Sequence, residues 1–81
     1  MEPVKKILDR IIWDRDFSAD ATFVLMYEDR RMGLVSIGLE MIERLDPLSF
    51  TARDQEDRTF TVPLHRIRRV YRNGELIWKR G

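Results

Sequence analysis

The stretch "IRRVYRNGELIWKR", residues 67–80, decides how the chain folds. Asn73-Gly74 stands between two β-prone runs, and both central residues of a type I′ turn need positive φ, which Asn and Gly adopt most readily. The stretch predicts a hairpin whose two-residue loop sets the register. Arg72 is expected opposite Glu75, Tyr71 opposite Leu76, Val70 opposite Ile77, Arg69 opposite Trp78 and Arg68 opposite Lys79. Directly opposed residues share a face. One face collects Ile67, Arg69, Tyr71, Leu76 and Trp78, the expected core side, with the Trp78 indole against the Arg69 guanidinium. The other sets Arg68 against Lys79, a like-charge pair that a sheet tolerates when an anion lies between the two or both turn into water. A bulge in "IRRVYR" would shift this register.

Outward from the hairpin, "LHR" (64–66) is expected to be a turn after Pro63. "LSFTARD" and "RTFTVP" flank the polar turn "QED" and predict a second hairpin. "TFVLMYED" (22–29) is apolar on both alternations and predicts an inner strand covered on both faces. "LVSIGL" (34–39) is its expected partner after the turn "RRMG". Met41, Ile42 and Leu45 recur at one-turn spacing and predict a short helix that Pro47 stops. Val4, Ile7, Leu8, Ile11 and Ile12 form one helical stripe behind Pro3. "DRDFSADATF" breaks that period and is expected to be a loop. The fold class is α+β: an N-terminal helix packed on a curved antiparallel sheet of about five to six strands, with one further short helix.

Eighty-one residues suit one domain, 1–81, with a modest core. The chain has no cysteine and one histidine, which excludes disulfides and Cys-based zinc sites and leaves no His-rich metal site. No apolar run approaches the ~20 residues that span a bilayer, and the N-terminus lacks a signal-peptide core. A cytoplasmic protein with no cofactor, metal or membrane partner is expected.

The net charge of +1 hides an asymmetry. Residues 1–57 carry eight Lys/Arg against thirteen Asp/Glu, whereas 58–81 carry seven Lys/Arg against Glu75 alone. Such segregation fits a polyanionic partner, and equally fits two halves that neutralise one another. His65, Arg66, Arg68 and Lys79 bring a donor and three cations to the C-terminal part; guanidinium forks match phosphate oxygens. Tyr27, Asp29 and Arg30 add an aromatic, a carboxylate and a further guanidinium. Tyr27, Phe60, Tyr71 and Trp78 would stack on bases where they face out and belong to the core where they do not. No phosphate loop, Ser/His/Asp set or activated nucleophile is present.

"ILDRIIWD", "FVLMYEDRRMG" and "VPLHRIRRVYRNGELIWKR" together resemble the RNA cyclic-group-end recognition domain, a small, mostly archaeal family. The resemblance covers essentially the whole chain, is strongest in the last segment, and fades between Ser36 and Asp57. It implies a module that recognises RNA termini, including 2′,3′-cyclic phosphates, alone or beside RNA-end-processing enzymes. Tyr27, Asp29, Arg30, His65 and Arg66 match in type and spacing, as do Trp13 and Trp78, which are expected to be structural. The leading expectation is capture of a phosphate-bearing RNA end by a monomer or weak homodimer. His65 and Arg66 would hold the phosphate, Arg30, Arg68 and Lys79 would assist, Tyr27 or another exposed aromatic would stack on the last base, and Asp29 would fix Arg30 or accept from a ribose hydroxyl. Two alternatives remain: a weak RNA-end phosphodiesterase with His65 as general acid or base, and an adaptor that docks an acidic protein through the basic hairpin.

Overall fold

The computed structural model describes residues 3–80. Helix α1 (Val4–Trp13) buries Val4, Ile7, Leu8 and Ile11 along the stripe its spacing dictates. Ile12 and Trp13 point outward, and Trp13 is 79% exposed, so it is not the structural residue expected. At ~100° per residue, the last two positions of the helix turn away from the stripe. The expected loop after α1 contains a further short helix, α2 (Arg15–Ser18). Asp14 starts it, its carboxylate accepting from the Asp16 and Phe17 amides at 3.1 and 3.2 Å.

Among the described residues, seven strands follow in two antiparallel sheets, where a single sheet of about five or six was expected. β1 (Phe23–Asp29), β2 (Gly33–Gly38), β6 (Ile67–Arg72) and β7 (Glu75–Lys79) form one sheet in the order β2-β1-β6-β7. β3 (Ile42–Leu45), β4 (Ser49–Arg53) and β5 (Thr59–Pro63) form the other. Three-residue 3₁₀ turns at Leu39–Met41 and Leu64–Arg66 link the two. The helix expected around residues 40–46 is therefore a turn followed by strand β3. Ile42 opposes Ala52 and Leu45 opposes Phe50, with a register shift between Ile42 and Arg44. That bulge turns two apolar residues three apart to one face, the same spacing a helix produces.

The last hairpin has the expected turn: Asn73 and Gly74 both have positive φ, 49° and 82°. Asn73 also accepts the Thr22 amide at 2.8 Å. Arg72 opposes Glu75 and Tyr71 opposes Leu76, but the register then shifts, so Val70 opposes Trp78 and Arg69 opposes Lys79. The expected core face is thereby corrected. Val70, Ile67 and Trp78 are buried, whereas Leu76 is 47% exposed. The Trp78 ring carries Arg80, not Arg69, at 5.2 Å. A second shift between β1 and β6 lets Ile67 and Val70, three apart, both face inward.

One hydrophobic cluster joins α1, Phe23, Leu25 and Tyr27 of β1, Phe50 and Ala52 of β4, Val62 of β5, and Ile67, Val70 and Trp78. β1 is central in its sheet, and the cluster covers this face; Val24 and Met26 on the other are partly buried and lie outside the cluster. Arg72 ties the hairpin to α2 by donating to the Phe17 carbonyl at 3.0 Å. Among the described residues, no helix is long and apolar enough to cross a membrane.

Candidate nucleic-acid interface

The β1–β6 pairing brings the middle of the chain beside its C-terminal quarter. Between the β1–β2 hairpin and β5 this leaves an open cleft of about 720 Å³. Tyr27, Asp29 and Arg66 all line it, with Val35, Ile37, Met41 and Phe60 as apolar wall and Ser36 and Thr61 as hydroxyl donors. That volume and mixture suit a small organic ligand.

The cleft's charges are mostly spoken for. Asp29 accepts from the Arg31 and Met32 amides at 2.8 and 3.1 Å, closing the turn into β2. Those two bonds, with the nearby Arg31 and Arg66 charges, hold its carboxyl below the usual range. Asp29 thus orders its own turn and does not fix Arg30. Arg53 is chelated by Glu43 at 2.6 Å and Asp57 at 2.9 Å, which holds its guanidinium above the usual range. Arg66 has no ion-pair partner among the described residues. Glu28, Glu40 and Asp54 complete the polar lining. Tyr27 is 7% exposed, its ring against Phe50 and Phe60. It is a wall of the cleft, too buried to offer the stacking face expected of it, and that burial, with the Asp29 carboxylate, pushes its phenol up.

His65 does not join Arg66. The two occupy successive positions of a 3₁₀ turn, where side chains diverge by about 120°. His65 lines a separate hollow with Lys5, Leu64, Trp78 and Arg80. Among the described residues, no carboxylate lines that hollow. Arg80 bridges it to a third hollow, formed by Arg68, Arg69, Arg80 and Glu28. Arg80 is fixed by donating to the Ile67 carbonyl at 3.0 Å, and Arg68 by donating to the His65 carbonyl at 2.7 Å and pairing with Glu28 at 3.1 Å. Lys79 is exposed on β7 opposite Arg69, and Arg30 is exposed in the β1–β2 turn. Six of the seven expected residues thus fall into two groups, Tyr27, Asp29 and Arg66 in the cleft and His65, Arg68 and Lys79 along a basic side, while Arg30 joins neither. Arg69 and Arg80 belong with the second group. The sequence reading placed Arg69 in the core and passed over Arg80, although the closing Trp-Lys-Arg put it next to the ring it covers.

A family model described as the MJ1316 RNA cyclic group end recognition domain matches residues 1–80. The chain belongs to that family. It is also similar to a UPF0248 protein of Metallosphaera sedula, 31% identical over 77 residues that cover 95% of this chain and 91% of the relative. No solved structure matches it. The family's description names recognition of an RNA end, and three of the five polar residues that carried the resemblance, Tyr27, Asp29 and Arg66, line one cleft. Arg30 lies outside the cleft, at the turn that follows Asp29, and His65 opens onto another side of the molecule.

Proposed function

We propose that the protein captures the phosphate-bearing end of an RNA, with the terminal nucleotide in the cleft between the two sheets. The supporting observation is the meeting of Tyr27, Asp29 and Arg66 in a hollow of nucleotide size, with Arg66 near the Asp29 carboxylate but, unlike Arg53, in no ion pair among the described residues. Arg66 binds the terminal phosphate through charge-assisted hydrogen bonds. The Asp29 carboxylate, held ionised, retains a second oxygen to accept from a ribose hydroxyl, the group that distinguishes RNA from DNA.

The surrounding carboxylates give this reading a specificity. A 3′-phosphate monoester carries close to two negative charges near neutral pH, whereas a 2′,3′-cyclic phosphodiester carries one. A cleft with a single uncommitted guanidinium among Glu28, Asp29, Glu40 and Asp54 favours the singly charged end. The role is recognition within RNA processing or repair, in the cytoplasm, by a single domain without a cofactor. The test is a titration of one labelled oligonucleotide carrying a 2′,3′-cyclic phosphate, a 3′-phosphate or a 3′-hydroxyl. Affinity in that descending order is expected. Equal, salt-insensitive millimolar affinity for all three would sink the proposal.

A further inference from the structure

The four-stranded sheet has a second face that lies outside the hydrophobic cluster. Its residues follow from the register. One row across the strands holds Gly38, Val24, Tyr71 and Leu76; the next holds Ser36, Met26, Arg69 and Lys79. None of these eight belongs to the core cluster or packs on it. Successive rows on one face are about 6.5–7 Å apart. The first row is apolar around one half-exposed phenol ring. The second ends in two cations directly opposite each other across β6 and β7. Neither Arg69 nor Lys79 has an ion-pair partner among the described residues. Beyond this row lies the hollow of Arg68, Arg69 and Arg80. Two carboxylates border this face: Glu28 is paired with Arg68, and Glu40 fills the space a Gly38 side chain would take, at the β2 edge away from Arg69 and Lys79.

Like charges opposite each other destabilise a sheet, and an apolar, aromatic strip beside them is poorly matched to water alone. A single ligand chemistry relieves both: a flexible polyanion whose flat bases are free to stack. An acidic peptide would satisfy the cations but leave the Tyr71 strip without a complementary ring. A duplex keeps its bases stacked inward and away from Tyr71. We propose that this outer face is a track for single-stranded RNA. One base lies on Tyr71 between Val24 and Leu76, and the adjoining phosphates lie over Arg69 and Lys79 and onward to Arg68 and Arg80. Open antiparallel sheets with outward aromatics bind unpaired bases in this way. The identity of the polymer rests on the RNA-end reading; Tyr71, Arg69, Lys79, Arg68 and Arg80 do not line the Arg66 cleft, which meets this face at Glu28, Ser36 and Gly38.

The experiment compares a hydroxyl-ended pyrimidine hexanucleotide with a mononucleotide 2′,3′-cyclic phosphate, by fluorescence anisotropy and calorimetry respectively. Tyr71→Ala weakens the hexamer about tenfold or more, the worth of one stacked base, and Tyr71→Phe restores it. The Arg69→Ala/Lys79→Ala pair lowers the slope of log affinity against log salt by about 1.4, or 0.7 per phosphate. Both leave the mononucleotide unaffected, which Arg66→Ala weakens. If hydroxyl- and phosphate-ended hexamers bind alike and Tyr71→Ala weakens both, the track stands and the end reading falls. If the mononucleotide binds through Arg66 while hexamer affinity and salt slope are indifferent to Tyr71, Arg69 and Lys79, the end reading stands and the track falls. Concentration-dependent dimerisation that Tyr71→Ala abolishes, with no RNA effect, would assign the face to a second copy of the chain and also overturn the track.

Discussion

Strand β1 sends alternate residues into two different settings. Tyr27 and Asp29 border the cleft, where almost every charge already has a partner: Asp29 has two backbone amides and Arg53 has two carboxylates. Val24 and Met26 lie on the opposite face, whose cations Arg69 and Lys79 face each other without a carboxylate between them. The contrast separates two ways of recognising RNA. A compensated cleft with one spare guanidinium selects by shape and by the number of charges on its ligand. An uncompensated face attracts any polyanion, with strong dependence on salt. The first suits an end, the second the strand behind it.

Removing what the two regions share should have the largest effect. Leu25 is fully buried on β1 between Ile37 and Val70. Leu25→Ala should lower stability by about 2–5 kcal/mol, read from urea unfolding, and weaken both kinds of RNA binding together. Survival of both at wild-type strength would mean that β1 does not couple them. Arg66→Ala should separate the regions. It removes charge-assisted bonds of about 1.5–3 kcal/mol, so cyclic-phosphate mononucleotide affinity should fall roughly 10- to 100-fold while a hydroxyl-ended hexamer is unaffected.

Gly74→Ala should act on the outer face alone. An added Cβ meets nothing within 4 Å, so its cost is the left-handed backbone, about 1–2 kcal/mol. Thermal melts should show that loss, and hexamer binding should weaken because the turn holds Arg69 against Lys79; mononucleotide binding should persist. The smallest effect belongs to Asp29→Asn. The Asp29 carboxyl is held below its ordinary value by the Arg31 and Met32 amides. The stability this confers is present above the unfolded-state pKa of about 3.9 and is lost as pH falls through the lower folded-state value. The gap in melting temperature between wild type and variant should therefore close in acid. A gap that persists unchanged below that range would assign the effect to something other than ionisation.

The sequence made some of this legible and hid the rest for a definite reason. Asn73-Gly74 announced its turn because few residue pairs accept two positive φ angles. The α1 stripe from Val4 to Ile11 was readable because helical spacing is regular. Three bulges were not. At Ile42–Arg44, between Ile67 and Arg69, and around Ile77, one residue steps out of the ladder, and every side chain beyond it changes face. Ile42 and Leu45 therefore imitated a helix, and Arg69 left the expected core face while Val70 joined Trp78 in the core. The same shift replaced an expected Arg68–Lys79 pair with Arg69–Lys79. A like-charge pair was thus anticipated on the hairpin, but with a different arginine. His65 and Arg66 were adjacent in sequence and expected to act together; the tightness of a 3₁₀ turn parts them. Whether Tyr27 faced out or belonged to the core stayed open in the sequence because nothing local revealed that Phe50 and Phe60, from the other sheet, close over it.

The most direct measurement is a nuclear magnetic resonance titration of the isotope-labelled protein with a mononucleotide 2′,3′-cyclic phosphate. The account predicts saturable amide shifts confined to residues lining the cleft, at 27–29, 35–38, 60–62 and 66, with Arg66 among the largest. Shifts absent up to millimolar ligand, or centred on Tyr71 and Lys79 with the cleft silent, would contradict it.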